Sequence, residues 1–379
     1  MNYRVPFVDP RSHYRALKPE IDAAIVDCLS RGDLVYRQQL RDFEQSLAEF
    51  VGVRFAVGVN SGYHALLFAL MGAGVGAGDE VITVAHTFVA TVSAIIHCGA
   101  TPILVDVGPD YNIDPDLIEA AITRRTKALM LVHLNGRICD MARVMAIAEH
   151  HGLKVIEDAA QALGATFDGI KAGAIGVAGC FSFYPFKVMG GFGDGGALTT
   201  DDPEIARMAS LMRYNGEDRE TGEYHYHGQT ALLDNVQAAV LSVKLRHLPK
   251  WLDHRRAIAE RYHRALSGIR DLRLPRFEEE RRRDIFQNYV IRTGLGRASQ
   301  TPPPPGQRDA LREHLREHGV ETLVHWPKPM WEHRGLGLRD PGLPETAAIS
   351  REVISLPMSA ETTFEQVDDT AAVIVKFFA

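Results

Sequence analysis

The sequence predicts an α/β protein: a large domain built on a mostly parallel sheet, followed by a smaller C-terminal α/β domain. Three observations predict it. Six short β-rich runs, at 55–59, 81–84, 103–107, 128–133, 155–157 and 180–183, alternate with stretches of helical apolar spacing at 64–71, 91–97 and 141–151. Ahead of this alternation, Leu17, Ile21, Ala24, Ile25 and Leu29, then Leu40, Phe43, Leu47 and Phe50, recur at helical intervals on either side of a break at Arg31-Gly32-Asp33. A chain of 379 residues, 46% of them hydrophobic, is also long and apolar enough to bury two cores.

The remaining elements follow from the same spacing. Val236, Ala239, Val240, Val243 and Leu248 predict a helix over 233–248, with a second helix continuing to Leu266 after a break or kink at Pro249. The domain boundary is therefore placed after 248, giving a large domain over 1–248 and a small one over 249–379. In the small domain the sequence predicts a strand at 289–292, a helix at 308–318 and a strand at 321–325. The proline run at 302–305 reads as an extended surface loop.

Composition narrows the partners. Lys plus Arg number 42 against 48 Asp plus Glu, a net charge of −6 without the basic excess of a nucleic-acid binder, so a small polar metabolite is the expected partner. The N-terminal residues lack a signal-peptide core and no segment has the length of a membrane span, which predicts a cytoplasmic protein with no membrane partner. Cys28, Cys98, Cys139 and Cys180 are scattered, with no zinc or disulfide spacing, and read as reduced, mostly buried thiols.

The chemistry-bearing residues lie at or near the expected strand ends, where open α/β sheets bind ligands. Phe181-Ser182-Phe183-Tyr184-Pro185-Phe186-Lys187 sets a lysine between an apolar strand and the glycine-rich run Gly190 to Gly196, and the apolar run from Leu153 ends in Asp158. A lysine is usually a solvated surface charge. Partly desolvated, its amine is neutral often enough to attack an aldehyde. An amine and a nearby anion are the two groups that pyridoxal phosphate most needs from a protein, one for its aldehyde and one for its ring nitrogen. Ser61, Gly62 and the amide of Tyr63 stand between a strand and an apolar helix, where unpaired N–H groups and the helix dipole favour a phosphate. Gly191 to Gly196 also satisfies G-x-G-x-x-G, but it leads into a strand-like run rather than opening a helix, so a dinucleotide-binding reading fails on context. His225 and His227 have no third ligand grouped with them, and no metal is expected.

The order Asn60-Ser61-Gly62, Gly78 to Ile82, Thr87-Phe88, Gly99 to Pro102, Val132-His133-Leu134, Glu157 to Gln161, Phe181 to Pro185, Lys187, Gly193 to Gly196, Asp234 with Gln237-Ala238-Ala239, and Leu356-Pro357-Met358 resembles the DegT/DnrJ/EryC1/StrS family of nucleotide-sugar aminotransferases nearly end to end. The resemblance implies the aspartate-aminotransferase-like fold (PLP fold type I), pyridoxal 5'-phosphate and its pyridoxamine form as cofactor, and a homodimer. It makes Lys187 the residue that bonds the cofactor's aldehyde and later moves the substrate proton. It sets Asp158 at the ring nitrogen, Gln161 near the phenolic oxygen, Phe88 on the ring face, and Ser182 with Ser61, Gly62 and Tyr63 at the phosphate. Thr230 takes the position of a cofactor-phosphate contact across the dimer, and Tyr184 and His325 fall on the substrate side.

Departures from the family pattern gather around the substrate. Tyr63 and His64 replace a Thr and an acidic residue, Asn135-Gly136-Arg137 replaces Tyr-Gly-Gln, and Phe186 and Val188 flank the lysine in place of Thr and Asn. Thr230 and Leu232 stand where an Asn and an Arg are usual. Arg137, beside an altered motif, is the candidate replacement cation. The function implied is transfer of an amino group from an amino acid, glutamate first, to a keto group of a nucleotide-linked deoxy sugar. The alternatives are a cyclitol ketone aminotransferase, a sugar dehydratase that keeps the cofactor, and a non-catalytic cofactor-binding paralogue.

Overall fold

A computed structural model describes residues 3–277, 280–293 and 307–379; the proline run at 302–305 lies outside them. Helices α1 (Pro10–Ser30) and α2 (Gln38–Val51) precede the alternating region. That region runs β1 (Phe55–Val59), α3 (Gly62–Gly72), β2 (Glu80–Val84), α4 (Val89–His97), β3 (Thr101–Val105), the short α5 (Ile118–Ala121), β4 (Thr126–Val132), α6 (Met141–His151) and β5 (Lys154–Asp158). Two very short strands, β6 (Thr166–Phe167) and β7 (Ile170–Lys171), lead to β8 (Ala178–Ser182), β9 (Gly196–Thr200) and α7 (Pro203–Met212). The C-terminal part holds α8 (Asn235–Leu266), β10 (Leu272–Arg273), β11 (Arg282–Arg283), β12 (Tyr289–Thr293), α9 (Gln307–Glu317), α10 (Pro344–Glu352), β13 (Val353–Leu356) and α11 (Phe364–Phe378).

Seven strands form the main sheet in the order β1-β9-β8-β5-β4-β2-β3. Strands β8, β5, β4, β2 and β3 pair in parallel, and β9 runs antiparallel to both its neighbours. The sheet is apolar on both faces, which is why its strands read as continuous rather than alternating runs. Along β4, Leu129 and Leu131 face the core that contains Leu40, Phe43 and Leu47 of α2, while Met130 faces the one built from Leu66, Phe68 and Leu70 of α3. Where a helix meets the sheet its ends are satisfied locally. Asp140 accepts the Arg143 N–H at the start of α6, and Gly152 closes it at φ +65°.

The small sheet, β10-β12-β13, is antiparallel and packs with α9, α11 and the end of α8. Val5 joins this core: it bridges to Val320, and its N–H donates to the Gly319 carbonyl at 3.0 Å. Two expectations need correction. Pro249 does not divide the helix, since α8 is one helix of 32 residues running through it. Pro249 is itself exposed, while Leu245, Leu248, Trp251 and Leu252 around it are buried against the large core, so packing outweighs the lost backbone bond. The expected domain boundary thus falls inside a continuous helix, whose later residues Ile258, Ala259, Tyr262 and Leu266 enter the small core. The segment 321–325 is not a regular strand. It makes one bridge, Leu323 to Ser355, and Trp326 then takes φ +52°, which ends any extended run.

All four cysteines are free, with Cys28, Cys139 and Cys180 buried. Among the described residues no helix is long and apolar enough to cross a membrane. Because Pro249 is exposed within a continuous helix, Pro249→Ala restores a backbone bond and is expected to stabilise the fold by about 1–3 kcal/mol, read as a higher thermal midpoint. A lower midpoint would mean that the proline shapes the passage of α8 between the two cores.

Candidate active site

Strand register assembles the site. Val132, Asp158 and Cys180 lie in one row across β4, β5 and β8, and Ser182, Gly196 and Val59 in another across β8, β9 and β1. The loop after β1 therefore meets the end of β8 across a glycine. A side chain on Gly196 would come 2.4 Å from the Ser61 carbonyl carbon, and one on Gly62 would come 2.9 Å from Ser182 Cβ. Ser61 caps α3, with an extended backbone and its Oγ accepting from the His64 N–H at 3.3 Å. The result is a cup of two serine hydroxyls and free helix N–H groups, packed too closely for any residue but glycine at 62 and 196.

Asp158 ends β5 and is 7% exposed. Its Oδ2 accepts from Thr91 Oγ1 at 2.8 Å and its Oδ1 from the Ala160 N–H at 3.2 Å. Burial pushes its pKa up, against these bonds and against the charge of Lys187. Lys187 is partly buried, and burial lowers its amine to about 8 even though Asp158 pulls it the other way. The two groups therefore sense each other's charge in a site that penalises both, and near pH 8 about half the amines are neutral.

The other predicted residues differ in exposure and in their partners. Gln161 Oε1 accepts from the Asn135 N–H at 2.7 Å, which leaves its NH2 as the donor for an acceptor in the site. Phe88, the residue before α4, is 59% exposed, and Tyr184, 48% exposed, meets Phe186 edge to face. His325 Nδ1 lies 2.8 Å from Ser355 Oγ; burial, then the Lys187 charge, lowers its pKa to about 4, so it is neutral at physiological pH and close enough to feel the amine.

Three altered positions prove to be engaged inside the chain. The Tyr63 hydroxyl lies 2.6 Å from His97 Nδ1, which leaves only its amide for the cup. The Thr230 hydroxyl donates to Asn215 Oδ1 at 3.0 Å, and its carbonyl accepts from Asn60 Nδ2 at 3.4 Å. Arg137 requires a correction. Its guanidinium is buried against Asp284 at 3.1 Å and donates to the carbonyls of Asp110 and Arg276, so it joins the 282–288 segment to the large sheet and is not an unpaired cation for a substrate.

Sequence reasoning missed the residues that hold the lysine turn. Gln287 bonds the peptides on both sides of Lys187, and from α8 Gln237 Oε1 accepts from the Phe192 N–H at 2.9 Å while Lys244 donates to the Gly190 carbonyl. Gln237 falls within a recognisable motif, but its partner is visible only in three dimensions. Among the described residues no group of three or more His, Cys, Asp or Glu side chains could hold a metal ion.

These residues fit pyridoxal phosphate: a glycine-walled cup for the phosphate, a buried carboxylate for the ring nitrogen, and a desolvated amine for the aldehyde. The fold and the site define a pyridoxal-phosphate-dependent aminotransferase. The chain belongs to the DegT/DnrJ/EryC1/StrS aminotransferase family, whose family model matches residues 15–375. It is 40% identical over 359 residues to a dTDP-3-amino-3,4,6-trideoxy-alpha-D-glucose transaminase of Streptomyces venezuelae, covering 94% of this chain and 91% of that one. It is 38% identical over 381 residues to a protein of Geobacillus stearothermophilus named as a pleiotropic regulatory protein, covering 99% and 98%. The crystal structure of S. venezuelae DesV in complex with a ketimine intermediate superposes with a TM-score of 0.92 at 38% identity, over 99% of this chain and 98% of that chain.

The charge coupling makes a signed prediction. The rate at which the cofactor-free protein captures pyridoxal phosphate rises with pH around a midpoint near 8. Since Asp158 raises the lysine's pKa, Asp158→Asn is expected to shift that midpoint down. An unchanged midpoint would show that the two groups are not coupled.

Proposed function

We propose that this enzyme moves an amino group from an amino acid, glutamate first, to the 3-keto group of a nucleotide-linked deoxy sugar. The observation that carries the reading is the desolvated Lys187, in the turn after β8, close enough to sense the charge of the buried Asp158 at the end of β5. The acceptor is suggested by the name of the S. venezuelae relative. When bound, pyridoxal phosphate supplies an electron-accepting ring that lets the amino group leave the donor and later join the ketone. Asp158 keeps a proton on the ring nitrogen. Ser61 and Ser182, with the amides of Gly62 and Tyr63, bind the phosphate, Gln161 donates to the phenolic oxygen, and Phe88 covers the ring. Lys187 Nζ holds the cofactor at rest and carries the proton to and from the substrate carbon, as its lowered pKa suits. His325, neutral and near the amine, and Tyr184 face the substrate.

The working unit is a cytoplasmic homodimer in this reading. Phe88, Tyr184, Phe186 and Phe192 are each between 46% and 59% exposed in the single chain, an apolar rim of the kind a second subunit covers. The four free cysteines suit a reducing compartment. Sedimentation should give twice the chain mass, and a monomer at assay concentration would refute the dimer.

The regulatory name carried by the G. stearothermophilus relative favours a second reading, a regulator that binds the cofactor without turning over. One absorbance experiment separates the two. Glutamate should convert the bound cofactor to its pyridoxamine form, and a keto-sugar, added next, should restore it. No spectral change with any amino acid would support the regulator, and restoration by a keto-cyclitol alone would replace the sugar. Lys187→Ala should lower turnover by about 10²-fold or more; retained turnover would overturn the assignment.

A further inference from the structure

Gln287 reaches the lysine from the far side of the fold. It lies just before β12 and is 7% exposed. Its Oε1 accepts from the Val188 N–H at 2.8 Å, and its Nε2 donates to the Phe186 carbonyl at 3.0 Å. One planar amide thus holds the peptide groups on both sides of Lys187. The turn's own bonds, Lys187 N–H to the Tyr184 carbonyl at 2.8 Å and Gly191 N–H to the Phe183 carbonyl at 2.7 Å, close it on itself. Gln237 and Lys244 tie it to α8 only at 190–192. Among the described residues, Gln287 is the tie from outside the turn that reaches the lysine's immediate neighbours.

Gln287 is itself fixed. Arg255, buried on α8, donates from Nη1 to the carbonyls of Phe286 and Gln287 at 3.2 and 3.1 Å. The Gln287 backbone nitrogen lies close against Gly136, where a side chain would come within 2.4 Å of it. The preceding Phe286 is fully buried at φ +51°, a conformation that a bulky residue holds only when its surroundings impose it. A segment held by Arg255, by its close approach to Gly136 and by the burial of Phe286 is a firm mount for a side chain whose two arms end on the lysine turn.

We propose that Gln287 is a positioning residue for Lys187: it sets the lysine backbone so that Nζ meets the cofactor's carbonyl carbon, and it couples the seating of the small domain to attachment of the cofactor. Gln287 is neutral, so it acts on where the amine stands and not on its charge. The proposal rests on the assignment of Lys187 above and is independent of the sugar.

Two cofactor forms separate positioning from folding. Pyridoxamine phosphate has no aldehyde for the lysine, so its affinity reports the cup, Asp158, Gln161 and Phe88 without the bond to the amine, whereas capture of pyridoxal phosphate also needs the amine in place. For Gln287→Leu, capture by the cofactor-free protein should slow by about tenfold or more, up to the roughly hundredfold that a misplacement of about 1 Å can cost, with pyridoxamine phosphate affinity unchanged within about twofold. Equal losses for both forms would make Gln287 merely structural, and no loss for either would remove it from the site. If the Leu variant does not fold, Gln287→Glu carries the test. It keeps the acceptor arm, loses the donor arm and adds a negative charge, so capture should slow and its pH midpoint should rise; an unchanged rate and midpoint would overturn the proposal. Lys187→Ala is the control: if it captures pyridoxal phosphate as the native chain does, the lysine assignment falls first.

Discussion

The structure turns on placing an amine and a carboxylate together where water cannot fully solvate either. Burial works against the charged form of both groups, lowering Lys187 to about 8 and raising Asp158, while each charge supports the other. A pair held in this way is poised for a ligand that brings a cation to the carboxylate and an aldehyde to the amine. Parallel pairing of β5 and β8 brings the two strand ends side by side, and the apolar packing of both sheet faces holds them there. The glycines at 62 and 196 let the phosphate cup close onto the same end of the sheet.

Around this centre the chain engages three of its unusual residues internally. Tyr63 turns its hydroxyl to His97, Thr230 turns its own to Asn215, and Arg137 is taken up by Asp284. The polar group of each of the three has a partner within the chain. The backbone donors of the cup do not depend on the side chain at 63, so the cofactor end can be kept while the substrate end varies. In the proposed reading, transamination and substrate choice are separated in space. There the former rests on the strand ends and the lysine turn, and the latter on loops and on His325.

Much of this was legible in the sequence. Asp158 ends one apolar run and Ser182 falls within another, both with the length and β-rich composition of strands, and Lys187 follows the second into glycine-rich backbone, so their convergence follows from a parallel sheet. What was hidden depended on packing between distant segments. Pro249 reads as a break or kink because local geometry disfavours it, yet buried neighbours on both sides carry one continuous helix through it. The segment 321–325 has strand-like residues but finds only one bridging partner before Trp326 turns away. Arg137 looked like an available cation because its partner, Asp284, lies 147 residues later. Gln287 gave no signal at all, since an isolated glutamine carries no spacing and its meaning lies in the two peptides it bridges.

Lys244 sharpens the central claim. It too is buried, donates to the Gly190 carbonyl close to the same turn, and has its pKa lowered to about 8 by burial. Desolvation alone would therefore make two lysines reactive, and only Lys187 also senses Asp158. The most direct measurement is borohydride reduction of the protein loaded with pyridoxal phosphate, followed by peptide mass spectrometry to locate the phosphopyridoxyl group. The account predicts the label on Lys187 alone; a label on Lys244, or none at Lys187, would contradict it.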